Sequence, residues 1–129
     1  IHGRTISQLD LALAKSPDRK FLKKIIFGKE TEKTFKRLVP LNAPAMRDGF
    51  VRASITGGNL RILQSSLGTS WQLRARSKIL FIEDVSERGY SVDRMLEQLL
   101  QARVFDGVRA VVFGDFTEGF EKDGRSLVW

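Results

Sequence analysis

Three segments decide how this chain folds: Lys78-Ile-Leu-Phe-Ile-Glu83-Asp84, then Tyr90-Ser-Val-Asp-Arg-Met-Leu-Glu-Gln-Leu-Leu100, then Val108-Arg-Ala-Val-Val-Phe-Gly-Asp-Phe116. The first is a run of apolar residues that stops abruptly at two carboxylates. Such a run reads as a fully buried strand whose charged end emerges from a sheet. The second places Val92, Met95, Leu96, Leu99 and Leu100 at helical spacing. Ser91 is a candidate N-cap, and Asp93 is expected in the first turn, where the helix dipole favours negative charge. The third segment is again a buried strand, expected to close at Gly114-Asp115. Strand, helix and strand in that order make a βαβ unit with parallel strands. In open α/β sheets, chemistry collects at the carboxyl ends of the strands, where Glu83 and Asp115 are expected to lie.

Working outward, Phe50 to Ile55 reads as a strand, followed directly by Thr56-Gly-Gly-Asn-Leu60. The two glycines allow a tight turn or a close backbone approach. A glycine-rich strand-to-helix turn can bind an anion. This one lacks G-x-G-x-x-G spacing and has no lysine in the Walker position, so backbone packing is the better reading. Asn59 can cap a helix carrying Leu60, Leu63 and Leu67, with Gly68 as its terminator. Residues 69–77 read as an exposed loop with Trp71 as an anchor. Earlier in the chain, Thr5 can cap a short helix carrying Ile6, Leu9 and Leu13. Ser16-Pro17-Asp18 starts a second helix, with Phe21, Leu22, Ile25 and Ile26 on its apolar side and Gly28 at its end. Thr34 to Val39 alternates weakly, as a strand would. Pro40 and Pro44 then punctuate a loop that marks a boundary between segments. After Phe116 the chain turns polar and loses periodicity.

The chain has 129 residues, enough for one small core. It has no cysteine, which excludes disulfides and thiolate chemistry. Its single histidine, His2, excludes a multi-histidine metal site within the chain. No apolar run reaches membrane-spanning length. The first residue is isoleucine, so a fragment of a longer protein is expected. The net charge of +7 is uneven: residues 1–50 carry eleven Lys and Arg against five Asp and Glu, and the remainder eleven against ten. A basic front half can meet nucleic acid. Here it lacks the interleaved aromatics of a stacking platform, so a solvated face or a surface for an acidic partner domain is preferred.

Glu83 is the most informative ionisable group. An acid directly after Ile-Leu-Phe-Ile is partly desolvated and must be paired or hydrogen-bonded. Two readings are open on the residues alone. It is a strand-end acid braced by a base such as Arg94, which is the commoner case. Alternatively it orients a histidine, accepting the imidazole N–H and stabilising the imidazolium. Glu87 reads as a solvated turn residue and Asp84 as a brace for the turn. Asp115 reads as a turn or cap residue. Tyr90 either offers a hydroxyl to a pocket or staples the helix start. There is no Gly-x-Ser-x-Gly elbow, so no nucleophile is evident.

Several motifs in order resemble one family. They are Ile55-Thr-Gly-Gly-Asn-Leu60, Ser66-Leu-Gly-Thr69, Lys78-Ile-Leu-Phe-Ile-Glu-Asp84 with Glu87, Tyr90-Ser-Val-Asp-Arg-Met-Leu96, Gln98-Leu99 and Val112-Phe-Gly-Asp-Phe-Thr117. Together they resemble the C-terminal domain of the LD-carboxypeptidases, the murein tetrapeptide carboxypeptidases with the microcin-immunity peptidases as relatives. Ile1-His-Gly3 resembles the segment after the last strand of that family's N-terminal domain. Arg4 and Ser70 depart from it, each standing where the family has proline.

The resemblance implies an α/β fold: a C-terminal swivelling β/α domain with a mixed sheet, preceded by the tail of a flavodoxin-like N-terminal domain. It divides the chain into residues 1–28, the end of the N-terminal domain with a helical linker, and residues 29–129, an incomplete C-terminal domain. It implies a cytoplasmic, homodimeric serine peptidase that releases the terminal D-alanine of a muropeptide, without metal or cofactor. Of its Ser-Glu-His triad only the glutamate falls in this chain, on Glu83, with Glu87 as reserve. Substrate-binding residues are not assigned. The serine belongs upstream and the histidine downstream, in a Gly-His motif that this chain lacks. His2 is not promoted to catalytic base. The chain alone is expected to be inactive. A basic interaction or nucleic-acid-binding module without catalysis is the alternative.

Overall fold

The apolar run at Ile79 is the centre of a three-stranded parallel sheet ordered β1-β2-β3. The elements are β1 (Ile55–Asn59), α1 (Leu60–Ser65), β2 (Ile79–Val85), α2 (Gly89–Gln101) and β3 (Ala110–Thr117). This is a computed structural model, and it describes residues 23–47, 49–120 and 124. The chain divides into two units, Ile1–Asp48 and Gly49–Trp129. The sheet belongs to the second.

β2 is buried because it has a strand on each side and helices over one face. Ile79 to Glu83 pair in parallel with Ile55 to Asn59, and Ile79 to Ile82 pair with Ala110 to Phe113. A parallel pair cannot be closed by a hairpin, so α2 must carry the chain back between β2 and β3. Leu80 and Ile82 point toward the helices. They are fully buried with Leu60 and Leu99, in a core completed by Leu63, Ala75, Met95, Val104 and Phe116. Each such aliphatic side chain contributes about 1.5–3 kcal/mol on burial. The α/β class is as expected, although among the described residues the sheet is wholly parallel, with no antiparallel member.

The strand before the glycines is displaced from its expected place. β1 begins only at Ile55 and contains Gly57 and Gly58. Residues 50–54 have no strand beside them, because the first β2 residue in register, Ile79, lies opposite Ile55. Only the Ser54 carbonyl reaches the ladder, accepting from the Ile79 N–H at 2.8 Å. The glycines therefore form neither a turn nor an anion loop. Gly57 has φ +122°, and a Cβ there would lie 1.9 Å from the Phe81 carbonyl oxygen. Close backbone approach is the role of Gly57.

α1 starts as expected, with the Asn59 side chain accepting from the Ile62 N–H at 3.2 Å. It ends at Ser65, before Leu67 and Gly68. α2 starts three residues earlier than expected, with Arg88 rather than Ser91 at the N-cap. The Arg88 carbonyl already accepts from the Ser91 and Val92 N–H groups, so Ser91 lies inside the helix and Asp93 beyond its first turn. Met95 and Leu99 form its buried line, while Leu100 is exposed. Trp71 is 60% exposed and is not part of the described core; Leu73 and Ala75 hold that loop against it. β3 does not stop at Gly114-Asp115 but runs to Thr117.

In the first unit, residues 23–26 are helical. Gly28 (φ +66°) ends that helix as expected, with Gly28 N–H donating to the Ile25 carbonyl and Lys29 N–H to that of Lys24. Residues 34–39 form no strand. Phe35, Leu38 and Val39 are exposed there, and a lone strand leaves its ladder groups unpaired. A 3₁₀ turn, Pro44–Met46, follows. The helix expected after Thr5, the helix start at Ser16-Pro17-Asp18 and the end of the chain beyond residue 124 lie outside the described residues.

The glycine argument predicts an asymmetry. Gly57→Ala combines a left-handed strain with a backbone collision and should cost about 3 kcal/mol or more. Gly68→Ala meets only open space at φ +76° and should cost about 1–2 kcal/mol. Urea midpoints at unchanged slope measure both; equal shifts would contradict the close approach.

Candidate active site

The carboxyl end of β2 presents Glu83 and Asp84, consecutive and therefore on opposite faces of the sheet. Both are buried, at 8% and 3% exposure. Asp84 shares the helical side with Leu80 and Ile82 and is saturated by donors. Asn59 Nδ2 donates to its Oδ1 at 2.9 Å and the Arg61 N–H to its Oδ2 at 3.0 Å, while the Val85 N–H reaches Oδ1 at 2.7 Å. Two of these donors belong to the start of α1, where orphan N–H groups and the helix dipole favour an anion. Asp84 thus ties the end of β2 to the β1–α1 junction, a wider brace than the turn expected of it.

Glu83 points to the other face, with Phe81. Its surroundings are set by an irregularity in the β2–β3 ladder. Ile82 pairs with Phe113, but Asp84 pairs with Phe116, so Gly114 and Asp115 together stand opposite Glu83. This is a bulge on β3, rare between parallel strands. A Cβ on Gly114 would lie 2.6 Å from Phe81 Cζ and 3.2 Å from Glu83 Cβ. The end of the Phe81 ring and the root of the Glu83 side chain both pack into the space where that residue has no side chain.

The remaining candidates separate from Glu83. Among the described residues no ion pair joins it to Arg94, whose guanidinium instead lies 5.6 Å from the centre of the Tyr90 ring. Arg88 approaches the same ring at 5.4 Å. Tyr90 is 55% exposed beside both of them. Glu87 is not the solvated residue expected. Its carboxylate accepts from Arg61 Nη1 at 2.5 Å and from Ser91 Oγ at 2.7 Å, and its side chain is 13% exposed. Asp115 is exposed on the bulge and caps no helix. Arg61 escaped sequence reading because it sits at an outward position of a short amphipathic helix. His2 lies outside the described residues.

The described lysines and arginines of residues 23–47 are exposed, and Lys24 pairs with Glu30 at 3.4 Å. Among the described residues no three His, Cys, Asp or Glu side chains converge so as to hold a metal ion. No described helix is long and apolar enough to cross a membrane.

Residues 52–128 match the family described as LD-carboxypeptidase C-terminal domain. A Rickettsia conorii protein named as a carboxypeptidase is 41% identical over 130 residues, covering 99% of this chain and 40% of the relative. A Bacillus subtilis protein named as a murein peptide carboxypeptidase is 39% identical over 88 residues, 67% of this chain and 27% of the relative. The crystal structure of a muramoyltetrapeptide carboxypeptidase from Oxalobacter formigenes superposes with a TM-score of 0.51 at 38% identity, over 55% of this chain and 25% of that one. The chain spans about two-fifths of the length of the rickettsial relatives it matches, 40% in each case.

The two acids that hold hydrogen bonds should differ sharply in stability. Asp84→Ala strands buried donors and should cost about 2–4 kcal/mol. Glu87→Gln loses one ion pair with a well-exposed arginine and should cost no more than about 1 kcal/mol. Chemical denaturation of the two variants compares them directly, and a Glu87→Gln loss equal to that of Asp84→Ala would sink this ranking.

Proposed function

The chain belongs to the LD-carboxypeptidase family, and from that premise we propose that it supplies the acid of a serine peptidase's Ser-Glu-His triad, with Glu83 as that acid. The substrate we propose is a muropeptide whose terminal D-alanine is released. The observation that carries the reading is a carboxylate only 8% exposed at the carboxyl end of the central strand of a parallel sheet. That is where ligands meet open α/β sheets. Its neighbour Asp84 is already committed to the start of α1.

In this reading Glu83 accepts the N–H of a histidine, fixing its tautomer and stabilising the imidazolium as it forms. The histidine takes the proton of a serine hydroxyl while the serine oxygen attacks the carbonyl carbon of the bond to D-alanine. The same proton then goes to the departing amine, and water releases the acyl group by the reverse sequence. The serine and the histidine come from outside this chain, the serine from a flavodoxin-like domain. By itself the chain has no peptidase activity.

The experiment is a chimera in which this chain replaces the matching 130 residues of the Rickettsia conorii relative. D-alanine release from a muramoyl tetrapeptide is then assayed. The chimera should turn over, and Glu83→Gln should lower kcat at least about a thousandfold, the scale on which triad acids act. Glu87→Gln should stay within about threefold, as fits a residue paired with a well-exposed arginine. A folded chimera without activity, or undiminished turnover in Glu83→Gln, rules the reading out.

A further inference from the structure

We propose that Gly114 is a positioning residue for Glu83, acting through the Phe81 ring; the inference rests on the triad reading above. Two independent features meet at this residue. The first is the ladder. The β2–β3 pairing holds an offset from Ile79↔Ala110 to Ile82↔Phe113 and resumes one residue later at Asp84↔Phe116. Glu83 is thus the one residue between Ile79 and Val85 with two residues facing it on β3. A bulge bends its strand and re-aims the side chains beside it. The second is contact. Gly114 is overlaid by Phe81 Cζ, Phe81 Cε2 and Glu83 Cβ, which would stand 2.6, 2.9 and 3.2 Å from a Cβ placed on it.

The physical consequence is a wedge. Gly114 carries no left-handed φ, so glycine is not required there by the backbone. It is required by the space. A methyl group would meet the far edge of an aromatic ring, which moves only as a rigid plate about two torsions. The ring and Glu83 are two residues apart on one strand face, so displacing the ring pushes on the strand that carries the carboxylate. The remaining contact, at 3.2 Å to Glu83 Cβ, calls for a shift of only a few tenths of an ångström once the ring is gone. Gly114→Ala should therefore misplace Glu83 mainly through Phe81, and shortening Phe81 should undo the effect. A displacement of about 1 Å in a catalytic constellation costs on the order of a hundredfold in rate.

The chimera described above tests this with four variants: Glu83→Gln, Gly114→Ala, Phe81→Leu and the double variant Phe81→Leu/Gly114→Ala. The expected result for Gly114→Ala is a fall in kcat of about ten- to a hundredfold with KM within twofold, measured on protein shown to be folded by circular dichroism. In the Phe81→Leu background the same glycine change should alter kcat by less than about threefold. A purely structural role for Gly114 would lower the melting temperature without this split and without relief by Phe81→Leu. Wild-type kcat in Gly114→Ala, or a loss equally large in both backgrounds, overturns the proposal. If Gly114→Ala alone does not fold, the comparison of Phe81→Leu with the double variant decides: a tenfold or greater drop there is equally fatal. Full activity in Glu83→Gln would instead remove the triad reading, so the two failures are told apart.

Discussion

Leu80 and Ile82 can be buried under the helices only if Phe81 and Glu83 point away from them. That parity constraint governs the sheet. A strand alternates its side chains strictly, and a slip of one residue would reverse every one of them. The core formed by Leu60, Leu63, Met95 and Leu99 fixes which way β2 faces. It thereby sends two adjacent carboxylates to opposite sides. Asp84 arrives among the donors at the start of α1, and Glu83 arrives on the face opposite α1 and α2. Nothing about the acids themselves makes this choice; the leucine and isoleucine beside them do.

The same parity explains the bulge. Without the extra residue on β3, Asp115 would fall in register with Asp84 and Phe116 with Val85. Two carboxylates would then lie side by side on the core face, which is costly for buried like charges. One added residue puts Phe116 beside Asp84 and into the core at 8% exposure, and leaves Asp115 in solvent. The price is a ladder interrupted opposite Glu83. Packing on the helical side and the surroundings of Glu83 on the other are thus joined by one local insertion.

Much of this was legible in the residues. The βαβ unit follows from Ile-Leu-Phe-Ile, the Val92–Leu99 spacing and Val-Val-Phe, because each pattern matches one period. The Asn59 cap and the Gly28 terminus follow from local chemistry. The failures have a common physical source. Phe50–Ile55 and Thr34–Val39 have strand-like residues but no strand to pair with, and pairing is non-local. The backbone packing preferred for the Gly57-Gly58 pair holds at Gly57, although the sequence cannot name the Phe81 carbonyl as the group it meets. Ser91 was a plausible cap, but the Arg88 carbonyl starts α2 earlier. At the site, the burial of Glu83 followed from its position after an apolar run. The Arg61 contact that occupies Glu87 could not, since Arg61 lies on α1 and only the fold brings it to the residues before α2.

Why the strand acid rather than the loop acid should do the orienting is a question of rigidity. A group that must hold an imidazole within a fraction of an ångström is best carried by an element whose own geometry is over-determined. Glu83 sits in the central strand, with β1 paired to it on one side and the flanking β3 register fixed on both sides of the bulge. Glu87 follows Ser86, whose φ of +67° marks the bend out of the strand. Its ion pair is with an arginine side chain that is 64% exposed, and such pairs hold little in place. Both carboxylates are chemically able to accept an imidazole N–H. The one in the strand has its backbone located by hydrogen-bonded neighbours and a close-packed core, and that difference is what favours Glu83 over Glu87 for the proposed role.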